Sequence, residues 1–164
     1  MTPVTAYIAL GSNLGDPQQQ LRRAVAELAE LPDSRLLAVS PWYRSAAVGP
    51  GDQPDYLNGV AALETTLPPK ALLDALHRLE DAHGRVRTRH WGPRTLDLDL
   101  LLHGNQRIDE PDLHVPHPRL KTRNFVVFPL ADIAADLSLP DGTTVRELLA
   151  NTPAEGIVRL SAGD

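Results

Sequence analysis

Apolar spacing along this chain switches between the strand period and the helix period in the order strand, helix, strand, strand, helix, strand. That succession restricts the fold more than any other feature. Val4 to Leu10 (VTAYIAL) is an apolar run with β-branched and aromatic members, ended by Gly11-Ser12-Asn13, and reads as a strand entering a turn. Asp16 and Pro17 read as the N-cap and first residue of a helix on which Leu21, Val25, Leu28 and Leu31 recur at helical spacing. Arg35 to Arg44 is a second strand, in which Pro41 implies an edge or a bulge. Leu57 to Glu64 is a third, and Pro68-Pro69 opens a helix with Leu72, Leu73, Leu76 and Leu79 on one side. Thr95 to His103 is the fourth strand. Gly104 to Pro118 reads as irregular, Phe125 to Leu137 as helical despite Pro129, Thr144 to Leu149 as a short helix and Ile157 to Leu160 as a closing strand. The expected class is α+β, a ferredoxin-like βαββαβ core whose mainly antiparallel sheet carries helices in α/β/α layers.

With 164 residues, 42% of them hydrophobic, the chain is expected to form one domain over 1–164. The absence of cysteine excludes disulfides, thiolate metal sites and cysteine nucleophiles, and points to a reducing, cytoplasmic setting. No stretch approaches the ~20 apolar residues of a membrane helix. The net charge of −5 argues against a general polyanion-binding surface.

The fourth strand carries the chemistry. In HWGPRTLDLDLLL (90–102) residues two apart share a face, so Asp97 and Asp99 point together while Leu96, Leu98, Leu100 and Leu102 are expected to line the opposite face. Two bare carboxylates about 6 to 7 Å apart would repel by about 2 to 3 kcal/mol at an effective dielectric near 20. A divalent cation relieves this, and an oxygen-only pair suits Mg²⁺. Half-exposed strands also alternate in this way without any site. The approach to the acids, however, holds Arg85, Arg87, Arg89 and Arg94, whose guanidinium forks match phosphate oxygens. Metal on one side and guanidinium on the other describes phosphoryl transfer. RNA binding through the same arginine loop and its tryptophan, and a metal-dependent phosphohydrolase, are the competing readings. The GSNLG turn has neither the ending of a P-loop nor a dinucleotide fingerprint, and no nucleophile-elbow motif is present.

The segments YIALGSNLGD (7–16), GPGDQPDYLN (49–58), RVRTRHWGPRTLDLDLLL (85–102), VPHPRLKTRNFVVFPL (115–130) and PDG (140–142) together resemble the 6-hydroxymethyl-7,8-dihydropterin pyrophosphokinases of folate biosynthesis. The resemblance implies transfer of the β,γ-pyrophosphoryl group of ATP to the hydroxymethyl oxygen of the pterin, with AMP released. It implies Asp97 and Asp99 as ligands of two Mg²⁺ ions, and Arg85 and Arg94 as catalytic partners of the phosphates. On the pterin side it implies Tyr56 and Phe125 as a stacking pair and Asn58 as the amide reading the ring edge. Ser45 and Val48 line that pocket, Trp91 closes over it and Asp97 borders it. For ATP it implies His77, Glu80, Arg85, Arg87, Trp91, Arg94, Leu100, His117 and Arg123. Tyr56 and Asn58 also stand two apart in a strand and so share a face on spacing alone. Where relatives carry glutamine, a basic residue, a hydroxyl residue and tyrosine, this chain has His77, Asp112, His114 and Pro118. The last three are left out of the candidate site. The expected partners are ATP and the pterin alcohol, with no nucleic acid or membrane bound, and the expected state is monomeric.

Overall fold

The computed structural model describes residues 2–13, 16–45, 56–83 and 96–160. The chain runs β1 (Val4–Ser12), α1 (Pro17–Ala29), β2 (Ser34–Val39), β3 (Tyr43–Ser45), β4 (Tyr56–Thr65), α2 (Pro69–Ala82), β5 (Asp97–His103), β6 (Ile108–Glu110), β7 (Leu113–Val115), α3 (Asn124–Ala134), α4 (Val145–Ala150) and β8 (Ile157–Arg159). Asp16 caps α1, its carboxylate accepting the Gln19 amide at 3.2 Å, with Pro17 in the first turn where its missing N–H costs nothing. Thr144 caps α4 in the same way through the Glu147 amide at 3.1 Å.

The main sheet has the order β5-β1-β4-β3-β8, with β2 also beside β4 and every pairing antiparallel. If β2 and β3 are counted as one interrupted strand, this is the ferredoxin-like order expected from the sequence. The expected continuous strand from Arg35 to Arg44 is broken because Pro41 cannot donate to the ladder. Ser40 stitches the gap: its amide donates to the Val60 carbonyl and its hydroxyl accepts from the Val60 amide, both at 2.9 Å. Trp42 then crosses over Gly59, where a Cβ would stand 2.4 Å from the indole.

The sheet has a core on each face. On one, Ala6, Ile8, Leu10, Leu57, Ala61, Leu63, Leu98 and Leu100 meet Leu21, Ala24 and Leu28 of α1 and Leu72 and Leu76 of α2. On the other, Val60, Leu101 and Leu102 meet Val126 and Leu130 of α3 and Val145 of α4, with Tyr7, Ala9 and Phe125 at the margin. Leu102 therefore lies opposite to its expected face. The register passes from Tyr7 with Leu102 to Ile8 with Leu100, so Leu101 is an extra residue and the alternation inverts beyond it. A further correction concerns 104–118, where β6 and β7 form a small separate hairpin in a stretch expected to be irregular. Its strands have three residues each, too short for periodicity to register.

Candidate active site

The β5 register builds the acidic centre. Asp97 pairs with Gly11 and Asp99 with Ala9, so each carboxylate has only a hydrogen or a methyl group beside it on the neighbouring strand. Leu96 and Leu98 are buried on the other side, which leaves the half-buried acids to the face that carries α3. Across β1 the same row continues, because Gly11 also pairs with Asn58 of β4 and Asn58 with Tyr43 of β3. A Cβ on Gly11 would approach Asn58 Oδ1 to 2.8 Å, so glycine is what allows the amide and the acid to share this face.

Cations face the acids from the α3 side. Arg123 is the N-cap residue of α3, and its acidity responds to both Asp99 and Asp97. Burial holds its pKa below the ordinary arginine value, against the pull of the two carboxylates. Its guanidinium carbon lies 5.5 Å from the centre of the Phe125 ring, a cation–π contact. His117 lies within electrostatic reach of Asp99 and Arg123 as well. Burial lowers its pKa and Arg123 and Arg119 add to this, while Asp99 opposes them. Its Nδ1 accepts the Arg119 amide at 3.2 Å, so the neutral ring carries its proton on Nε2 as a donor.

Toward β3, the Asn58 Nδ2 donates to Ser45 Oγ at 3.4 Å, and Ser45 pairs with Tyr56 across the strands. Tyr56 and Asn58 alternate with buried Leu57 and Gly59, and so share the face of the acids as expected. Phe125 is half buried at the edge of the α3 core. Ser45, Tyr56, Asn58, Asp97, Asp99 and Phe125 thus come from three strands and one helix onto one side of the sheet.

The other side of β5 is an edge, with no further strand beside it among the described residues. Glu80, 1% exposed, accepts the Leu98 amide on this edge at 2.8 Å, and the His117 amide donates to the Leu101 carbonyl at 2.9 Å. Between these two attachments opens a cavity of about 260 Å³ lined by Leu73, Asp99, Leu100, Leu113, His117 and Arg119, among others. Asp112, His114 and Pro118, left out of the candidate set from sequence, line it too. Asp112 is paired with Lys70 of α2 at 2.6 Å. His77 is exposed on α2, one turn beyond Leu73.

Val48, Arg85, Arg87, Trp91 and Arg94 lie outside the described residues. Sequence reasoning missed Gly11, Leu73, Leu113 and Arg119. Only Gly11 left a signal, as the glycine ending the first strand. Among the described residues no cluster of three or more metal-ligating side chains occurs, and no helix is long and apolar enough to cross a membrane.

An acidic pair on one strand, a shielded arginine and a neutral imidazole facing it, and a cavity along the strand edge define a class of protein: an enzyme acting on phosphate groups, built on a ferredoxin-like sheet. Residues 7–135 match the family described as 7,8-dihydro-6-hydroxymethylpterin-pyrophosphokinase (HPPK), and the chain belongs to that family. It is 56% identical over 154 residues to the 2-amino-4-hydroxy-6-hydroxymethyldihydropteridine pyrophosphokinase of Pseudomonas aeruginosa, covering 94% of this chain and 95% of the relative. The protein of the same name from Haemophilus influenzae is 47% identical over 158 residues, covering 96% and 99%. A solved Plasmodium falciparum HPPK-DHPS structure has the same fold, with a TM-score of 0.71 at 11% identity over 92% of this chain; the chain spans 42% of that longer one.

Proposed function

We propose that residues 1–164 act as a single pyrophosphokinase domain whose reaction is run by Asp97 and Asp99 as metal ligands, facing the pterin-reading Asn58 across Gly11. As an HPPK, the chain transfers the β,γ-pyrophosphoryl group of ATP to the hydroxymethyl oxygen of 6-hydroxymethyl-7,8-dihydropterin in folate biosynthesis. The bond from that oxygen to the β-phosphorus forms, the bond from the β-phosphorus to the α-phosphate oxygen breaks, AMP leaves and the hydroxyl proton passes to solvent. The observation carrying the reading is the row Asp97, Gly11, Asn58 on one face of three adjacent strands.

Mg²⁺ fits this donor set: two half-buried carboxylates on one face supply what such an ion commonly takes from protein, leaving its other positions to water and phosphate. Asp97 and Asp99 would hold two ions. When bound, these neutralise charge on the triphosphate and lower the proton affinity of the pterin hydroxyl. Asn58 reads the pterin edge, Tyr56 and Phe125 stack on its faces, Ser45 and Val48 line the pocket and Trp91 closes it. Leu100 and His117 meet the nucleotide in the cavity beside β5, with His77 at its margin, and His117 donates from Nε2. Arg123, with Arg85, Arg87 and Arg94, takes the phosphates. Glu80 serves the nucleotide side through β5, by fixing the amide between the two acids. The protein works in the cytoplasm as a monomer, binding neither nucleic acid nor membrane.

The test is AMP formation from ATP, measured with and without the pterin alcohol and at graded Mg²⁺. AMP is expected only with both substrates, chelation of the cation is expected to abolish turnover, and D97A or D99A to lower kcat by about 10² or more. Full turnover in either variant, or in excess chelator, overturns the reading. Salt-sensitive retention of RNA would favour the RNA-binding alternative instead.

A further inference from the structure

His83 closes α2, its amide donating to the carbonyls of Leu79 and Glu80. Its side chain is wholly shielded from solvent, yet both ring nitrogens have polar partners. Nδ1 lies 2.7 Å from Gln20 Oε1 and Nε2 lies 2.5 Å from Glu27 Oε1. Gln20 and Glu27 stand about two turns apart on α1, and Ala24 between them on that face is buried and small. The imidazole therefore spans two turns of the neighbouring helix. Arg23, one turn before Glu27, holds the other oxygen of that carboxylate at 3.9 Å.

Joining two helices to one sheet needs only apolar burial, and α1 and α2 already share one core through Leu21, Leu28, Leu72 and Leu76. Burying an imidazole against a carboxylate costs desolvation that packing does not require. What it adds is direction: two hydrogen bonds of fixed geometry on the residue that caps the helix. The location gives that direction a use. One turn earlier, Glu80 ties the same end of α2 to the amide between Asp97 and Asp99. Two residues later in the sequence stands Arg85.

We propose that His83, held by Glu27 and Gln20, is a positioning residue for pyrophosphoryl transfer. It fixes the last turn of α2, and with it the point from which the segment bearing Arg85 and Arg94 leaves, relative to the acidic pair. The proposal rests on the reading of Arg85 and Arg94 as phosphate partners. Glu27 and Gln20 are as much part of the device as His83, although both lie on a helix that supplies no residue to the site described above.

The test uses the full chain with H83A, E27A, the double variant and H83Q, and reads backbone hydrogen exchange and steady-state kinetics for both substrates. In H83A, exchange at Asp81, Ala82 and His83 is expected to quicken by about tenfold or more, and kcat to fall by about tenfold, since small misplacements of phosphate partners are costly. KM for the pterin alcohol should change several-fold less than kcat, because Asn58, Tyr56 and Phe125, which read and stack on the ring, lie on β4 and α3, which this contact does not touch, and only Trp91 shares the segment of Arg85 and Arg94. The double variant should lose no more than H83A, both changes removing the same bond. H83Q, which reaches one partner, should recover part of the loss, and it carries the test should H83A not fold. An H83A enzyme with parental kcat, multiplicative losses in the double variant, or a pterin KM rising in step with the fall in kcat would each overturn the proposal. An R85A enzyme with full turnover would instead remove the phosphate reading, while the exchange data would still report the clamp.

Discussion

Gly11 stands between Asp97 on one neighbouring strand and Asn58 on the other, and its missing side chain leaves that row open. G11A puts a methyl 2.8 Å from Asn58 Oδ1 and displaces the amide. Overpacking of this kind costs about 1 to 3 kcal/mol. Because the group displaced is the proposed pterin reader, KM for the pterin alcohol is expected to rise about tenfold, with a smaller change for ATP; equal effects on both would count against the assignment of Asn58. Tyr43, in the same row, donates to Asp132 of α3 at 2.5 Å and stacks on Phe128. Burial first, and then Asp132, pushes the pKa of this phenol well above the ordinary value of 10.0. The phenol thus stays protonated in the folded chain where the unfolded chain would release the proton. Its contribution is complete below a pH of about 10 and is lost as pH rises beyond it. Y43F is expected to lose about 1 to 2 kcal/mol near neutrality and to show a shallower alkaline fall in melting temperature than the parent, measured by thermal scans from pH 8 to 11. Neither role of Tyr43 is visible in sequence, since its partners are 89 and 85 positions away.

Among the elements, β5 shows most directly how supports are borrowed from elsewhere in the chain. It is an edge strand, so its outward amides need partners, and a buried carboxylate from α2 supplies the one at Leu98. E80A leaves that amide without an acceptor, at a cost of about 1 to 3 kcal/mol. It also frees the backbone between the two acids, so kcat should fall while E80Q, which keeps an acceptor oxygen, stays near the parent. Melting temperature and kcat measured on both variants decide this; equal turnover in E80A and parent would separate strand support from chemistry. The alternation of β5 was legible as far as Leu100. Beyond it the inserted Leu101 inverts the faces, and nothing in a run of three leucines distinguishes the extra residue from its neighbours. The break between β2 and β3 was signalled by Pro41. Its repair by the Ser40 hydroxyl was not, because the partner amide belongs to Val60, twenty positions along the chain.

At the scale of the whole molecule, one sheet serves two cores, with α1 and α2 on one face and α3 and α4 on the other. β1 gives Ala6, Ile8 and Leu10 to one core and Tyr7 and Ala9 to the other, and β4 gives Leu57, Ala61 and Leu63 to the first and Val60 to the second, so neither core can melt without exposing the back of the other. Unfolding in urea is expected to be a single transition, coincident by far-ultraviolet circular dichroism and tryptophan fluorescence; two separated midpoints would contradict one domain over 1–164. The candidate site occupies the same sheet, with the row Asp97, Gly11, Asn58 on the α3 face and the cavity of about 260 Å³ along the β5 edge. By itself the sequence determined the βαββαβ order of the core, the common face of Asp97 and Asp99 and that of Tyr56 and Asn58, because these follow from spacings of two and of three to four along a continuous chain. Only the tertiary structure decided that Gly11 separates acid from amide, that Glu80 and His83 brace the end of α2, and that Asp112, His114 and Pro118 border the cavity beside β5. Those relations are distances between segments far apart in the chain, and they come into being only when the sheet sets its register and the helices dock on it.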